Sequence, residues 1–178
     1  MAKPMVSQLT YADLEALPED GKRYELIDGE LFVSPSPSPA HQDVVGNLHV
    51  LLRAACPPDL KVLLGPLDWL VDEHNVYVPD LMVVRRGDTT PRLLPRPPLL
   101  AIEVLSPSTR HVDLGRKRTA YARAGLDDYW IVDPLTPSVQ LLERRDGRLH
   151  AVAAVSGFEP LTVDRPFRLT VVPADLLD

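Results

Sequence analysis

The sequence offers little from which to build a cross-linked or membrane-bound protein. Among its 178 residues, Cys56 is the single cysteine, which excludes an internal disulfide and a metal cluster held by cysteines. No apolar run approaches the roughly 20 residues that a transmembrane helix requires. The polar start, residues 1–10, lacks the apolar centre of a signal peptide. We therefore expect a soluble, cytoplasmic protein with no membrane partner.

Aromatic side chains and basic charge are scarce as well. Aromatic residues make up 6% of the chain, and the net charge of −6 with a pI near 5.3 argues against nucleic-acid binding over the whole surface. The charge is uneven, because residues 92–123 hold seven basic and two acidic side chains, so this segment carries +5 and the remainder −11. The segment fits either a patch for a phosphate backbone or the solvated basic face of a helix.

What the chain does contain is typical of a folded domain. Hydrophobic residues make up 45% and charged residues 25%, which are ordinary values for a globular protein. The length suits one domain that covers residues 1–178. The 19 prolines stand between strongly patterned segments, so they are expected to brace loops rather than to mark disorder.

Hydrophobic spacing and turn residues predict the order of the secondary-structure elements. Asp28-Gly29 between two alternating segments predicts a β-hairpin. Helices are predicted after Thr10 and at residues 44–55, 113–124 and 174–177. Strands are predicted at residues 22–27, 30–34, 61–64, 67–71, 76–84, 99–105, 128–133, 139–143, 149–155 and 162–171. This order predicts an α/β domain on a mixed sheet flanked by helices, with an N-terminal hairpin and a strand-rich C-terminal tail.

Two acidic residues stand in segments that are otherwise apolar. Glu103 interrupts LLAIEVL, and Asp80 lies at the head of the strand in VPDLMVV. A carboxylate on a buried strand is costly unless a cation, a metal or hydrogen bonds compensate it. Singly, each has a plain explanation: Glu103 as a strand-end acid paired with an arginine, and Asp80 as part of a Pro-Asp turn. Together, on adjacent strands, they suit a hard divalent cation such as Mg²⁺.

A lysine on the following helix is the third candidate. Asp113, Lys117 and Tyr121 are spaced i, i+4, i+8 and share one helix face. In one interpretation Asp113 and Lys117 form an exposed ion pair worth a few tenths of a kcal/mol. In the other, the face turns toward the two acids, where the ammonium group would meet a phosphate or a metal-bound water.

Five motifs carry a resemblance to a known family. They are YELIDGEL (residues 24–31), VPDLMVV (78–84), IEVLSPSTR (102–110), DLGRKRTAYARAG (113–125) and DYWIVDP (128–134). In this order they resemble the Uma-two family, bacterial restriction-type endonucleases assigned to the PD-(D/E)XK nuclease superfamily. The similarity runs from about Tyr11 to Pro134 and continues loosely through the tail.

The resemblance implies a restriction-endonuclease-like fold and a set of catalytic residues. Asp80 and Glu103 would bind Mg²⁺ or Mn²⁺, with the Val104 carbonyl as a third ligand, in an endonuclease that hydrolyses DNA. The superfamily places a lysine two residues after the second acid, where this chain has Leu105. Lys117 matches the lysine that this family carries on the next helix, and it would position the attacking water. A homodimer is also implied, because cutting two strands requires two sites.

Three further residues have two open interpretations each. The resemblance brings Glu25 to the site as a ligand of metal or water, whereas the hairpin alone would pair it with Arg23 or Lys22. His41 is compatible with the rim of the site, but a solvated histidine at a helix start is the favoured interpretation. Ser106 is expected to cap a turn or to donate one hydrogen bond near Glu103.

Basic and aromatic residues could supply contacts to nucleic acid. Arg110, Arg116 and Arg118 are candidates for holding flanking phosphates. Tyr121, Tyr129 and Trp130 could be stacking platforms for bases, although aromatic residues in strands such as YWIV usually belong to the core.

Two other functions stay open from the sequence. The first is a catalytically inactive member of the nuclease fold that binds nucleic acid or a partner protein, which the acidic surface and the missing strand lysine favour. The second is a glycosidase that uses Glu103 and Asp80 as its acid and base. The low aromatic content disfavours a sugar groove, and metal dependence separates the nuclease from both alternatives.

Overall fold

The computed structural model describes residues 8–177 of the chain. The first seven residues, on which part of the expectation about the polar start depends, lie outside the described residues. The helices are α1 (Tyr11–Glu15), α2 (Pro39–Ala55), a π-helix (Val112–Lys117) that runs directly into α3 (Arg118–Arg123), and a 3₁₀ helix (Pro173–Leu176). The strands are β1 (Arg23–Ile27), β2 (Glu30–Ser34), β3 (Leu60–Leu64), β4 (Trp69–Asp72), β5 (Asn75–Tyr77), β6 (Leu81–Arg85), β7 (Leu100–Val104), β8 (Asp128–Asp133), β9 (Ser138–Arg145), β10 (Arg148–Ser156), β11 (Leu161–Val163) and β12 (Leu169–Val171).

A six-stranded mixed sheet forms the centre of the fold, in the order β10-β9-β8-β7-β6-β3. Strands β7 and β8 are parallel, and the other neighbouring pairs are antiparallel. A parallel pair requires a crossover connection, and here the π-helix and α3 provide it. The mixed α/β architecture predicted from the sequence is therefore confirmed.

The predicted hairpin belongs to a second sheet of four strands, in the order β2-β1-β5-β4. Its turn residues Asp28 and Gly29 have φ angles of 55° and 73°, the left-handed conformations that a two-residue hairpin turn requires. Strands β1 and β2 pair antiparallel from Arg23–Ser34 to Ile27–Glu30. The hairpin prediction is confirmed, and it places Glu25 in the middle of β1.

The six-stranded sheet carries an apolar cluster on each face. Because side chains alternate along a strand, Leu81 and Val83 of β6 join the cluster against α2, while Met82 and Val84 join the cluster on the other side. The α2 side is completed by Val44, Leu48 and Leu52, and the other side by Trp69, Tyr77, Tyr121 and Tyr129, among others. Helix α2 is fixed at its start by Ser38, whose side chain accepts a hydrogen bond from the His41 backbone N–H at 3.3 Å.

Three predicted elements differ from the structure. The segment 76–84 is predicted as one extended stretch, but the structure divides it between the two sheets. The chain passes from β5 to β6 at Pro79-Asp80, because Pro79 cannot donate a hydrogen bond to a neighbouring strand. The predicted strand 162–171 is two short strands, β11 and β12, that pair only with each other. The helix predicted at 113–124 begins with the π-helix and ends before Gly125, which has φ of +90°.

Within residues 8–177 no helix is long and apolar enough to span a membrane. The longest helix, α2, has 17 residues and buries one face against the sheet.

Candidate active site

Asp80, Glu103, Lys117 and Glu25 come from four different elements and meet at one place. Leu81 of β6 pairs with Ile102 of β7, so Asp80 and Glu103, the next residues along each strand, lie side by side. The Lys117 ammonium, at the end of the π-helix, is 2.9 Å from Glu103 Oε1 and 2.9 Å from Glu25 Oε2. The structure thus brings together the four residues that the resemblance singled out.

Lys117 is enclosed by carboxylates. Besides Glu25 and Glu103, Asp113 Oδ1 lies 3.4 Å from its Nζ atom, and the lysine is 2% exposed. The interpretation of Asp113 and Lys117 as an exposed pair is therefore wrong, because both are buried. Burial alone would lower the pKa of Lys117, but Glu103, Glu25 and Asp113 outweigh it and raise the pKa above the ordinary lysine value. Lys117 is a permanent cation in this site.

The carboxylates around Lys117 are more numerous than the cations. Burial, reinforced by the neighbouring acids Asp80, Asp113 and Glu25, raises the pKa of Glu103 well above its ordinary value, although Lys117 opposes the shift. Tyr121 donates a hydrogen bond of 2.5 Å to Glu103 Oε1. Glu25 is held by the backbone N–H of Val78, which donates to Oε1 at 2.8 Å.

Asp80 has a separate set of partners. Arg23 Nη1 donates to Oδ1 at 2.6 Å, and the Val104 backbone N–H donates to Oδ2 at 2.8 Å. His41 Nε2 lies 3.3 Å from Oδ2. Burial raises the pKa of Asp80, but the contact with His41, the charge of Arg23 and the Val104 N–H together lower the pKa below the ordinary value. Asp80 is therefore ionised at neutral pH.

His41 and Arg23 were not recognised from the sequence as partners of Asp80. His41 is 8% exposed, so the interpretation of a solvated histidine at a helix start is wrong. Arg23 was considered only as a partner for Glu25. Arg23 lies two residues before Glu25 on one strand, so both side chains lie on the same face. This spacing is the feature of the sequence that could have placed Arg23 near the site. The sequence placed Asp113 only on the helix face that it shares with Lys117 and did not predict its place among the buried carboxylates.

A cleft of about 570 Å³ leads to this cluster. Asp80, Arg23 and His41 line the cleft, whereas Glu103 and Lys117 are 1% and 2% exposed and are enclosed by protein. Of the predicted acids, Asp80 is thus the one that meets the cleft directly.

Gly65 fixes the backbone at Asp80. Its N–H donates to the Asp80 carbonyl at 2.8 Å, and a Cβ atom on Gly65 would lie 2.8 Å from the Pro79 carbonyl oxygen. We expect Gly65→Ala to destabilise the protein by about 1–3 kcal/mol, because overpacking displaces backbone. Urea denaturation measures the loss. Gly87→Ala is the control, since its Cβ would meet no atom within 4 Å. Equal stability of the two variants would contradict this role for Gly65.

The three arginines proposed for flanking phosphates are all engaged within the protein. Arg110 Nη1 contacts Asp133 Oδ2 at 2.5 Å, and Arg116 pairs with Glu30. Arg118 donates to the Leu149 carbonyl from Nε and Nη2. Arg110 and Arg116 lie at exposed positions, where such pairs are weak and exchangeable.

The aromatic candidates and Ser106 serve structural roles. Tyr121, Tyr129 and Trp130 are between 0% and 2% exposed, so they belong to the core and their interpretation as stacking platforms is wrong. The Ser106 hydroxyl accepts a hydrogen bond from the Thr109 N–H at 3.3 Å, which is the turn-capping role expected for it.

The donor set fits a cation that keeps part of its water shell. Within residues 8–177 no group of three or more His, Cys, Asp or Glu side chains is arranged to hold a metal ion by itself. The cluster nevertheless contains more acidic than basic side chains. When all of its carboxylates are ionised, it carries two excess negative charges. The acids are Glu25, Asp80, Glu103 and Asp113, and the cations are Arg23 and Lys117. Asp113 Oδ1 is buried and receives no hydrogen bond from a described residue. Mg²⁺ is commonly held by one or two carboxylates with waters, and such an ion would balance this excess.

Comparison with solved structures shows that this fold occurs in another protein. A crystal structure described as "a putative nuclease belonging to DUF820", from Anabaena variabilis, is similar to this chain with a TM-score of 0.74. The similarity covers 95% of this chain and 97% of that chain at 20% sequence identity, which shows a common fold.

The family model of Uma2, described as "Putative restriction endonuclease", matches residues 11–174. The chain belongs to this family, as the five motifs indicated. No curated protein matches the sequence.

Proposed function

We propose that this protein is a cytoplasmic, metal-dependent endonuclease that hydrolyses phosphodiester bonds in DNA. Membership of a family of nuclease-like proteins supports the general reaction. The observation that carries the proposal is the cluster in which Asp80, which lines the cleft, lies beside the buried Glu103, among four carboxylates and two cations.

Asp80 and Glu103 are the proposed metal ligands, with the Val104 carbonyl as the third. A divalent ion held there would polarise the scissile phosphate and lower the pKa of a bound water. Val104 has a second part in the arrangement, since its N–H fixes the Asp80 carboxylate. Tyr121 and Lys117 both contact Glu103 Oε1 and so fix the orientation of that carboxylate.

The ammonium group of Lys117 can orient a water but cannot take a proton from it. Its pKa is raised by three carboxylates, which favours the ammonium form and the orienting role over that of a base. The Arg23 side chain is half-buried on the cleft wall, where the charges of Asp80, Glu103 and Glu25 raise its pKa. It is the cation best placed to contact a phosphate oxygen next to Asp80, because both residues line the cleft.

Metal binding is the first test, since it requires no knowledge of the substrate. We expect millimolar Mn²⁺ or Mg²⁺ to stabilise the wild type, by about 2.7 kcal/mol at 100 times the dissociation constant. Asp80→Asn and Glu103→Gln should lose this stabilisation. Asp146→Asn, at an exposed hairpin turn with φ of 50°, is the matched control and should keep it. Thermal unfolding with and without metal measures the effect.

Cleavage is the second test. We expect the wild type with Mg²⁺ to cut single- or double-stranded DNA, and Asp80→Asn to be inactive under the same conditions. RNA of the same sequence serves as the competing substrate. Metal stabilisation without cleavage of any of these would reject the endonuclease and leave a metal-binding protein.

A catalytically inactive binding module is the second candidate. The observation that favours it is the enclosure of Lys117, which faces three carboxylates instead of the cleft. This candidate predicts that Mn²⁺ has no effect on the wild type and that Asp80→Asn is as stable as the wild type or more so. Nucleic-acid binding that persists in EDTA would then define the function.

A homodimer is part of the endonuclease proposal. Cutting both strands of a duplex requires two sites, and one chain supplies one. Sedimentation at micromolar concentration should give twice the 19.8 kDa mass of the chain. A monomer that still cuts both strands would contradict this part of the proposal.

A further inference from the structure

Two serine–proline segments form parts of the cleft wall. The first is residues 34–38, with the sequence SPSPS, and the second is residues 106–109, with the sequence SPST. Six lining residues carry hydroxyl groups: Ser34, Ser36, Ser38, Ser106, Ser108 and Thr109. Ser34 is buried, the Thr109 hydroxyl donates to Asp113 Oδ2, and the Ser106 hydroxyl bonds to those of Ser108 and Thr109. The prolines between them restrict the backbone, so these hydroxyls are presented on stiff loops.

Some of these hydroxyls can still donate a hydrogen bond. Ser36 is exposed and makes no hydrogen bond to another described residue. Ser38 Oγ accepts from the His41 N–H, which leaves its own O–H free to donate. Serine and threonine hydroxyls commonly donate to phosphate oxygens and sugars in complexes with nucleic acid. These contacts position the strand and carry no sequence information.

The groups that read bases are nearly absent from the same wall. Among the described residues that line the cleft there is no Phe, Tyr or Trp, the imidazole of His41 is held against Asp80, and Gln42 is the only amide. Stacking on aromatic rings and bidentate contacts from Asn, Gln or Arg are the usual means of recognising bases. Arg23, the one arginine of the wall, is already bound to Asp80.

The ionic contribution of the cleft is also small. Besides His41, which contacts Asp80, Lys22 and Arg23 are its basic side chains among the described lining residues, and Asp80 offsets one of them. Each phosphate that a protein neutralises contributes about −0.9 to the slope of log K against log salt for duplex DNA. Two basic residues therefore allow a slope of roughly −2 at most.

We propose that the cleft recognises the sugar–phosphate backbone through its hydroxyl groups, without base specificity and with at most two ionic contacts. This inference rests on the proposed function, and it names the class of substrate: a DNA strand of any sequence. It also separates this chain from an enzyme that recognises a defined target site.

Selection from a randomised pool tests the absence of base specificity. Immobilised wild-type protein, with Ca²⁺ in place of Mg²⁺ to prevent cutting, is incubated with randomised single- and double-stranded DNA, and the retained DNA is sequenced. We expect no position to show more than a threefold base preference. A larger preference at any position overturns the inference while leaving the endonuclease intact. If no DNA is retained, the proposed function fails together with this inference.

Salt dependence tests the small number of ionic contacts. The dissociation constant for a fluorescent mixed-sequence duplex is measured from 50 to 300 mM salt, and a slope of −2 or shallower is expected. A steeper slope overturns the inference. Lys22→Gln should make the slope shallower by about 0.9, while Lys61→Gln, outside the cleft lining, should leave it unchanged. An unchanged slope in Lys22→Gln also contradicts the assignment.

The hydroxyl contacts are tested by a matched pair of serine variants. Ser36→Ala should weaken binding by about 2- to 10-fold, equally for oligonucleotides of poly(dA), poly(dT) and mixed sequence. Ser156→Ala, an exposed serine at the end of β10, should bind as the wild type does. A loss confined to one sequence, or equal binding by both variants, counts against backbone recognition by this loop.

Discussion

Replacing Lys117 with methionine is expected to lower the free energy of unfolding by about 3–5 kcal/mol at pH 8. The ammonium lies within 3.4 Å of three carboxylates, and it is 2% exposed. Removing it leaves Glu25, Glu103 and Asp113 buried near one another without their cation. The penalty arises from these unpaired charges rather than from lost packing, since methionine fills a similar volume.

The loss in Lys117→Met should be smaller at pH 5 than at pH 8. Burial already raises the pKa of Asp113 and of Glu103 in the native state, and removal of Lys117 raises both further. A carboxyl group with a raised native pKa binds protons more tightly in the folded state, so stability falls as the pH rises through that range. Protonation at pH 5 therefore relieves part of the repulsion.

Urea denaturation at the two pH values measures both effects. Lys22→Met is the control, because that lysine is exposed and its ion pair with Asp20 lies at the surface. We expect a change within about 0.5 kcal/mol for the control. A loss below 1 kcal/mol in Lys117→Met would show that the carboxylates do not depend on this cation.

Trp69→Ala is expected to cost about 3–5 kcal/mol. Trp69 is 1% exposed, and its ring centroid lies 5.2 Å from that of Tyr77 and 5.3 Å from that of Tyr121. These rings pack under the site, where the Tyr121 hydroxyl holds Glu103. A cavity at Trp69 should therefore also weaken the metal-dependent stabilisation proposed for Asp80 and Glu103.

Chemical denaturation and the Mn²⁺-dependent shift in unfolding temperature test both parts of this expectation. Trp69→Phe keeps an aromatic ring and should lose less than the alanine variant. Phe158→Ala, at a side chain that is 81% exposed, should stay within about 0.5 kcal/mol of the wild type. If Trp69→Ala unfolds like Phe158→Ala, the aromatic cluster does not support the site.

The local features of this fold were predictable because short-range chemistry determines them. Asp28-Gly29 adopts the left-handed conformations of a hairpin turn whatever surrounds it. The apolar run around Glu103 can be stable only on a buried strand. The segment 76–84 was predicted as one stretch in spite of Pro79, and the pattern did not show that its two halves join different sheets. That choice depends on which strands lie alongside, which the local sequence does not specify.

Residue types in the sequence identified the candidate residues, but they did not identify the side chains that these residues contact. A carboxylate in an apolar strand requires compensation, so Asp80 and Glu103 were visible as exceptions to the pattern. The family resemblance added Glu25 and Lys117. Periodicity could not show whether Lys117 faces the cleft or the carboxylates, because both directions lie on the same helix face.

The sequence by itself determined the α/β class, the hairpin and the family, and it singled out Asp80 and Glu103 as candidate acids. The tertiary structure decided that Arg23 and His41 contact Asp80, and that Lys117 is enclosed. Arg23 is separated from Asp80 by 57 residues in the chain, and Lys117 from Glu103 by 14. Contacts over such separations form only when two sheets and a crossover helix are packed together, because each element alone leaves these side chains in water.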